Sequence, residues 1–197
     1  VARGPPHNMV SLKGGCFNIP PEQREKFYQL YENAIPLFTE TDYECLVYRP
    51  PPTDMQPFYC DVDLRFLEAV DTVDTKRYCK LGSRIAEFMA KEYQYETVEF
   101  LVVKKNKGYW KTINGVENWC MGAHLYFGEL LFSLETSLEI RSASIPFCDE
   151  AFDGLKLDNT YEDCIDARIC KRSNGLVLPG CRKYGSPQTG AYIGTAM

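Results

Sequence analysis

One stretch of the chain alternates apolar and polar residues with a period of two. In PFYCDVDLRF, Pro57 to Phe66, Cys60, Val62, Leu64 and Phe66 fall on one side and Asp61, Asp63 and Arg65 on the other. The pattern predicts a strand with one face in a core. Upstream, IPPEQREKFYQLYENAIP predicts a helix: prolines suit its first turn, Phe27, Leu30, Tyr31 and Ala34 share a face, and Pro36 stops it. The apolar segment ECLVYRP and the Pro-rich loop PPPTDMQP lead to the alternating strand. After it, DTKRYCKLGSRIAEFMAKEY repeats Tyr78, Leu81, Ile85 and Phe88 at helical spacing, and TVEFLVV reads as a second strand.

A Lys-rich hairpin then leads into MGAHLYF, an alternating segment in which Gly122, His124 and Tyr126 share a face. Leu130, Leu134 and Leu138 predict a third helix, and DGLKLDN a polar loop. CIDARICKRSNGLVLPGCRKYG predicts two short strand-like pieces around an Asn-Gly turn. There are no repeats, and the order βαβ, β, α, β is that of an α+β fold whose sheet carries its helices on one face.

A length of 197 residues with 45% apolar content fits one domain, or one domain with a small appendage, and is enough for a real core. No apolar run approaches the roughly 18 residues of a membrane span, and VARGPPHNMVSLKGG lacks the apolar stretch of a signal peptide, so a soluble, intracellular protein with no membrane partner is expected. The nine cysteines are odd in number and no Asn-x-Ser/Thr acceptor accompanies them, which points to free thiols. They form no Cys-x-x-Cys pair, so no zinc site is expected. The net charge of −5 has the wrong sign for a surface that grips nucleic acid all over. Locally, VKKNKGYWK offers Lys104, Lys105, Lys107 and Lys111 around Tyr109 and Trp110. Such a tract suits a phosphate backbone with aromatic stacking and, more commonly, a solvated hairpin tip.

The acidic face of the alternating strand is the main chemical signal. Residues two apart on a strand have Cα atoms roughly 6–7 Å apart, from which both carboxylates can reach one divalent cation or a close pair. The competing reading is an ordinary strand whose polar face meets water, with Arg65 neutralising Asp63. An EF-hand is excluded, because Leu64 and Phe66 stand in the register where that loop needs oxygen ligands and glycine. Further along come an isolated His124 on a strand, Asp166 after the apolar Ile165, and the basic pair Arg182 and Lys183 beyond a Pro-Gly. Three carboxylates can clamp two magnesium ions for nucleotidyl transfer, and the histidine and basic pair suit triphosphate oxygens. Asp158 and Asp163 compete with Asp166 for the third place.

Taken in order, PFYCDVDLRF, GAHLYF and CIDARICKRSNGLVLPGCRK resemble the three motifs of archaeo-eukaryotic primases: Asp-hydrophobic-Asp, small-x-His, and hydrophobic-Asp with a downstream Lys. The particular flavour is that of the primase-helicases of large DNA viruses such as poxviruses and asfarviruses, and SLKGGCFNIP and FYQLYENAI are similar to the segment preceding the catalytic strand there. The resemblance implies an RRM-like primase catalytic core over 1–197, with a small N-terminal α/β unit at 1–52, cut from a longer primase-helicase chain. It implies Asp61, Asp63 and Asp166 as metal-binding catalytic acids with Mg2+ or Mn2+, and His124, Arg182 and Lys183 as nucleotide contacts. Ala123 and Gly122 depart from relatives that carry Ser there. The implied partners are single-stranded DNA template, nucleoside triphosphates and a helicase domain in cis or in trans; the implied setting is a viral replication site in the host cytoplasm or nucleus. No Gly-x-x-x-x-Gly-Lys-Ser/Thr occurs, so any helicase lies elsewhere. The alternatives are a non-catalytic RRM-like module that binds single-stranded nucleic acid, and a metal-dependent nuclease.

Overall fold

The structure is a computed structural model and describes residues 7–38, 44–48, 55–105, 107–170, 175–181 and 192–196. In chain order the elements are β1 (Met9–Ser11), β2 (Cys16–Phe17), α1 (Arg24–Ala34), β3 (Leu46–Tyr48), β4 (Gln56–Phe66), α2 (Thr75–Tyr93) and β5 (Leu101–Lys105). They continue with β6 (Tyr109–Ile113), β7 (Val116–Phe132), α3 (Leu134–Ser144), α4 (Phe147–Ala151), α5 (Tyr161–Cys164), β8 (Leu176–Val177) and β9 (Tyr192–Ala196).

The large sheet is antiparallel, in the order β4-β7-β5-β9, with β6 also paired to β7. β4, β5 and β7 are thus the first, second and third strands of an RRM-like core, in the spatial order first-third-second, with α2 between the first two. Burial along β4 alternates at every residue, as its sequence demands. Cys60, Val62, Leu64 and Phe66 enter a core with Leu81, Ile85 and Met89 of α2, Leu125 and Phe127 of β7 and Ile140 of α3. The helices therefore cover the apolar face and leave the Asp61 and Asp63 face for other use. Asp74 caps α2 by accepting from the Lys76 amide at 3.0 Å, and Ser133 caps α3 through the Thr136 amide at 3.1 Å.

A second, small sheet has the order β2-β1-β3-β8. Met9, Tyr31, Leu178 and Cys181 form its own cluster, so residues from late in the chain complete the N-terminal unit. Tyr31 donates to the Pro179 carbonyl and lies 3.0 Å from Cys181 Sγ. Tyr126 of β7 donates to the Val177 carbonyl at 3.1 Å and ties the small sheet to the large one.

The mixed α+β class agrees with expectation, but four local features differ. The Lys-rich tract is not a hairpin tip: it bridges β5 and β6 along one edge of β7, and the turn lies at Asn114 and Gly115, whose φ values of 51° and 83° suit an Asn-Gly hairpin. Leu130 belongs to β7, and α3 packs through Ile140, Ser137, Arg141 and Ser144, leaving Leu134 and Leu138 exposed. The Leu spacing marks the wrong face because β7 runs on to Phe132. On α1, Leu30 is likewise exposed while Tyr31 is buried. Of the two expected pieces after Cys164, the first is a single bridge residue, Ile165, followed by a 3-10 turn at Ala167–Cys170; only the second, β8, is a strand. Arg182, Lys183, Asn174 of the expected turn and most of the Pro-rich loop lie outside the described residues.

All nine cysteines are free thiols, and only Cys16 is exposed. Burial pushes the thiols of Cys148 and Cys164 up to about 12 and that of Cys170 up to about 11. Since the thiolate is the nucleophile, these groups are inert while the fold holds. A thiol reagent should modify one cysteine, Cys16, in the native protein and all nine after denaturation, read by intact mass. Rapid native modification of several would contradict the packing.

Candidate active site

β4 is an edge strand of the large sheet, and an edge leaves backbone N–H and C=O groups in want of partners. The irregular segment 158–166 supplies them. The Asp158 amide donates to the Arg65 carbonyl at 2.8 Å, and the Arg65 amide donates to Asn159 Oδ1 at 3.0 Å. Asn159 Nδ2 donates to the Asp63 carbonyl at 2.9 Å. Ile165 then forms an antiparallel bridge with Val62, and the Asp166 amide donates to the Asp61 carbonyl at 3.0 Å. The segment stands where a further strand would pair with β4, and it delivers Asp166 beside Asp61.

Arg141 of α3, only 9% exposed, fixes the same segment from the helix layer. Its Nε donates to the Ile165 carbonyl at 2.9 Å and its Nη2 to the Glu162 carbonyl at 2.8 Å. A buried guanidinium is tolerable because carbonyl oxygens take its donors.

On the sheet face, Asp61 pairs with His124 and Asp63 with Gly122 across β4 and β7. His124 is 4% exposed, and its Nε2 lies 3.4 Å from Asp61 Oδ1. Among the described residues, His124 sits against Asp61 and Arg168 pairs with Asp166, while no ion pair joins Arg65 to Asp63. A Cβ at Gly122 would stand 2.5 Å from the Val62 carbonyl oxygen and 3.2 Å from Asp63 Oδ1, so the missing side chain gives Asp63 room to lean over β7.

Asp166 accepts from the Arg168 amide at 2.8 Å and from Arg168 Nε at 2.9 Å, and pairs with Nη2 at 2.7 Å. Burial pushes this carboxyl's pKa up, but the Arg168 hydrogen bonds and charge outweigh it and hold it below the ordinary carboxylate range. The Arg168 guanidinium is in turn held more firmly protonated by the Asp166 hydrogen bond and charge, and further by Asp63 and Asp61. Asp63, Arg65, Arg141, Asp166 and Arg168 border a cleft of about 270 Å³ together with Glu162 and Asp163.

Compared with models of protein families, the sequence matches the C962R protein N-terminal AEP domain over residues 6–196. The chain is an AEP domain of the C962R type. No curated protein matches it. AEP, the archaeo-eukaryotic primase superfamily, is of nucleotidyltransferase type, which puts this domain in the primase and DNA-replication class. No helix among the described residues is long and apolar enough to cross a membrane.

Within the AEP domain the fold brings together Asp61, Asp63, His124 and Asp166 from three separate stretches of sequence. Asp158, a rival for the third acid, accepts from Asn118 Nδ2 at 2.7 Å, and Asp163 lies in the first turn of α5. The three carboxylates are hard oxygen donors of the kind Mg2+ or Mn2+ takes. Among the described residues no three His, Cys, Asp or Glu side chains stand as a ready ligand group, and Asp166 directs its carboxylate to Arg168. That guanidinium, with 74% of its side chain exposed, is the cation set against Asp166, whose own side chain is 19% exposed. Sequence reading missed Asn159, Arg141 and Arg168. Arg168 alone left a signal, as a cation two residues from the acid; the other two act through backbone partners that no spacing reveals.

Asn159→Ala removes both side-chain bonds to β4 and leaves the Arg65 amide and Asp63 carbonyl seeking partners. A loss of about 1–3 kcal/mol of stability is expected in denaturant titration. Hydrogen exchange at the Asp166 amide should quicken more than at core amides of β7; equal protection in mutant and wild type would show that Asn159 does not hold the segment.

Proposed function

We propose that this AEP domain is the catalytic core of a DNA-dependent primase-polymerase that joins nucleoside triphosphates into short primers on single-stranded DNA. The observation that carries the reading is the backbone bond from the Asp166 amide to the Asp61 carbonyl, which sets Asp166 beside the strand that carries the acidic pair and lets Asp63 and Asp166 border one cleft. Asp61, Asp63 and Asp166 would hold divalent cations, Mg2+ or Mn2+. An ion held there would supply activation of the attacking hydroxyl and charge stabilisation of the leaving phosphate.

The chain's own residues then have distinct tasks. His124, beside Asp61, donates to triphosphate oxygens as charge gathers on them. Arg168, which lines the cleft beside Asp166, would be a further donor to phosphate. Arg182 and Lys183 add positive charge for the same triphosphate. The small surplus of acid over base, a net −5, suits a domain that holds template weakly and works with a helicase in cis or in trans.

The test supplies nucleoside triphosphates and single-stranded DNA with no primer. Appearance of short products supports the reading. Template binding without synthesis would favour a non-catalytic RRM-like module, and template cleavage a nuclease.

Asp63→Asn keeps the volume of the side chain and removes its charge. Primer synthesis should be lost with the melting temperature kept; near wild-type synthesis by folded protein would refute the assignment. His124→Ala should weaken nucleotide binding or turnover by about one to two orders of magnitude, the value of roughly 1.5–3 kcal/mol for a hydrogen bond to a charged group. A fall in melting temperature with unchanged nucleotide affinity would instead mark a structural histidine.

A further inference from the structure

Lysine is rarely buried, yet Lys105, at the end of β5, is 6% exposed. Its neighbours in the basic tract behave differently. Lys104 donates to the Val73 carbonyl at 3.3 Å, and Lys107 and Lys111 are exposed.

The register explains the difference. Val103 pairs with His124 and Lys104 with Ala123, so continuing by one residue sets Lys105 beside Gly122, whose partner on the other side is Asp63. Strand alternation then puts Lys105 on the face that carries Asp61, Asp63 and His124. Asp63 and Lys105 stand two strands apart, about 10 Å at the Cα atoms, with only a glycine between them. The Asp63 carboxylate already leans over that glycine.

Two further observations fit this placement. The Lys105 ammonium lies 4.9 Å from the centre of the Tyr109 ring, and Tyr109 pairs with Cys120 on the same face. The Cys120 thiol on that face is pushed up by burial and by Asp63 and held back by the charges of Lys111, Lys105 and Arg65.

We propose that Lys105 is a further nucleotide-binding residue, whose ammonium takes phosphate oxygens of the incoming nucleoside triphosphate across Gly122 from Asp63. The inference rests on the reading of this cleft as a nucleotidyl-transfer centre. An ammonium is a compact point charge suited to phosphate, and the Tyr109 ring beside it restrains the Lys105 side chain. His124 and Lys105 would then bracket the triphosphate from two adjacent rows of the sheet.

The experiment measures binding of ATP and of adenosine, each with Mn2+, to the full chain as wild type, Lys105→Met and Lys105→Arg, with melting temperatures alongside. The expected result is a 10- to 100-fold weaker ATP affinity for Lys105→Met, unchanged adenosine affinity, and recovery to within a few fold in Lys105→Arg. If Lys105→Met does not fold, Lys105→Gln, which keeps the stem and a polar tip, is read in the same way. ATP affinity equal to wild type in a folded variant would overturn the proposal, as would equal losses for ATP and adenosine. Wild type that binds no triphosphate would overturn the nucleotidyl-transfer reading and this inference together, whereas wild type that binds with an indifferent Lys105 sinks the inference alone.

Discussion

The site depends on how the open edge of β4 is satisfied. The third acid lies about a hundred residues downstream of the first two, and nothing local joins them. They meet because β4 must find partners for its outer backbone groups, and segment 158–166 meets that need with two main-chain bonds, one bridge and the amide side chain of Asn159. Hydrogen-bond demand at an edge thus becomes a positioning device. Arg141 completes it from the helix layer by taking up the Glu162 and Ile165 carbonyls, so both sides of the segment are held.

With the acids gathered, like-charge repulsion has to be balanced. Carboxylates set near one another raise one another's energy unless cations stand among them. The structure distributes that work: His124 sits against Asp61, Arg168 closes on Asp166, and Arg65 and Arg141 border the cleft. Of these groups Arg168 is the most exposed, with 74% of its side chain in contact with solvent. The buried groups, His124 and Lys105, have less freedom and suit a fixed cradle.

The two sheets divide the labour. The large sheet offers its apolar face to α2 and α3 and its acidic face to the cleft. The small sheet, anchored through the Tyr126 bond to Val177, occupies the end of the acidic face beyond His124. The glycine at 122 matters for the remainder, since a side chain there would strike the Val62 carbonyl and crowd Asp63.

What was legible in the sequence is what short-range pattern encodes. Alternation determined that β4 is a strand with Asp61 and Asp63 on one face, helical spacing determined α2, and the three motifs in order pointed to the AEP family, because period and spacing are written in consecutive residues. The Leu spacing at 130, 134 and 138 misled, because a strand that runs on to Phe132 is stabilised by pairing with β4 rather than by its own period. The Lys tract misled for the same reason: pairing with β7 decides which lysine is buried and which is wet. Whether Asp61 and Asp166 would meet, whether Arg168 or Arg65 would serve as counter-ion, and where Lys105 would point depended on strand order and register. Those are set by the sum of many distant backbone bonds and core contacts, so only the tertiary structure decided them.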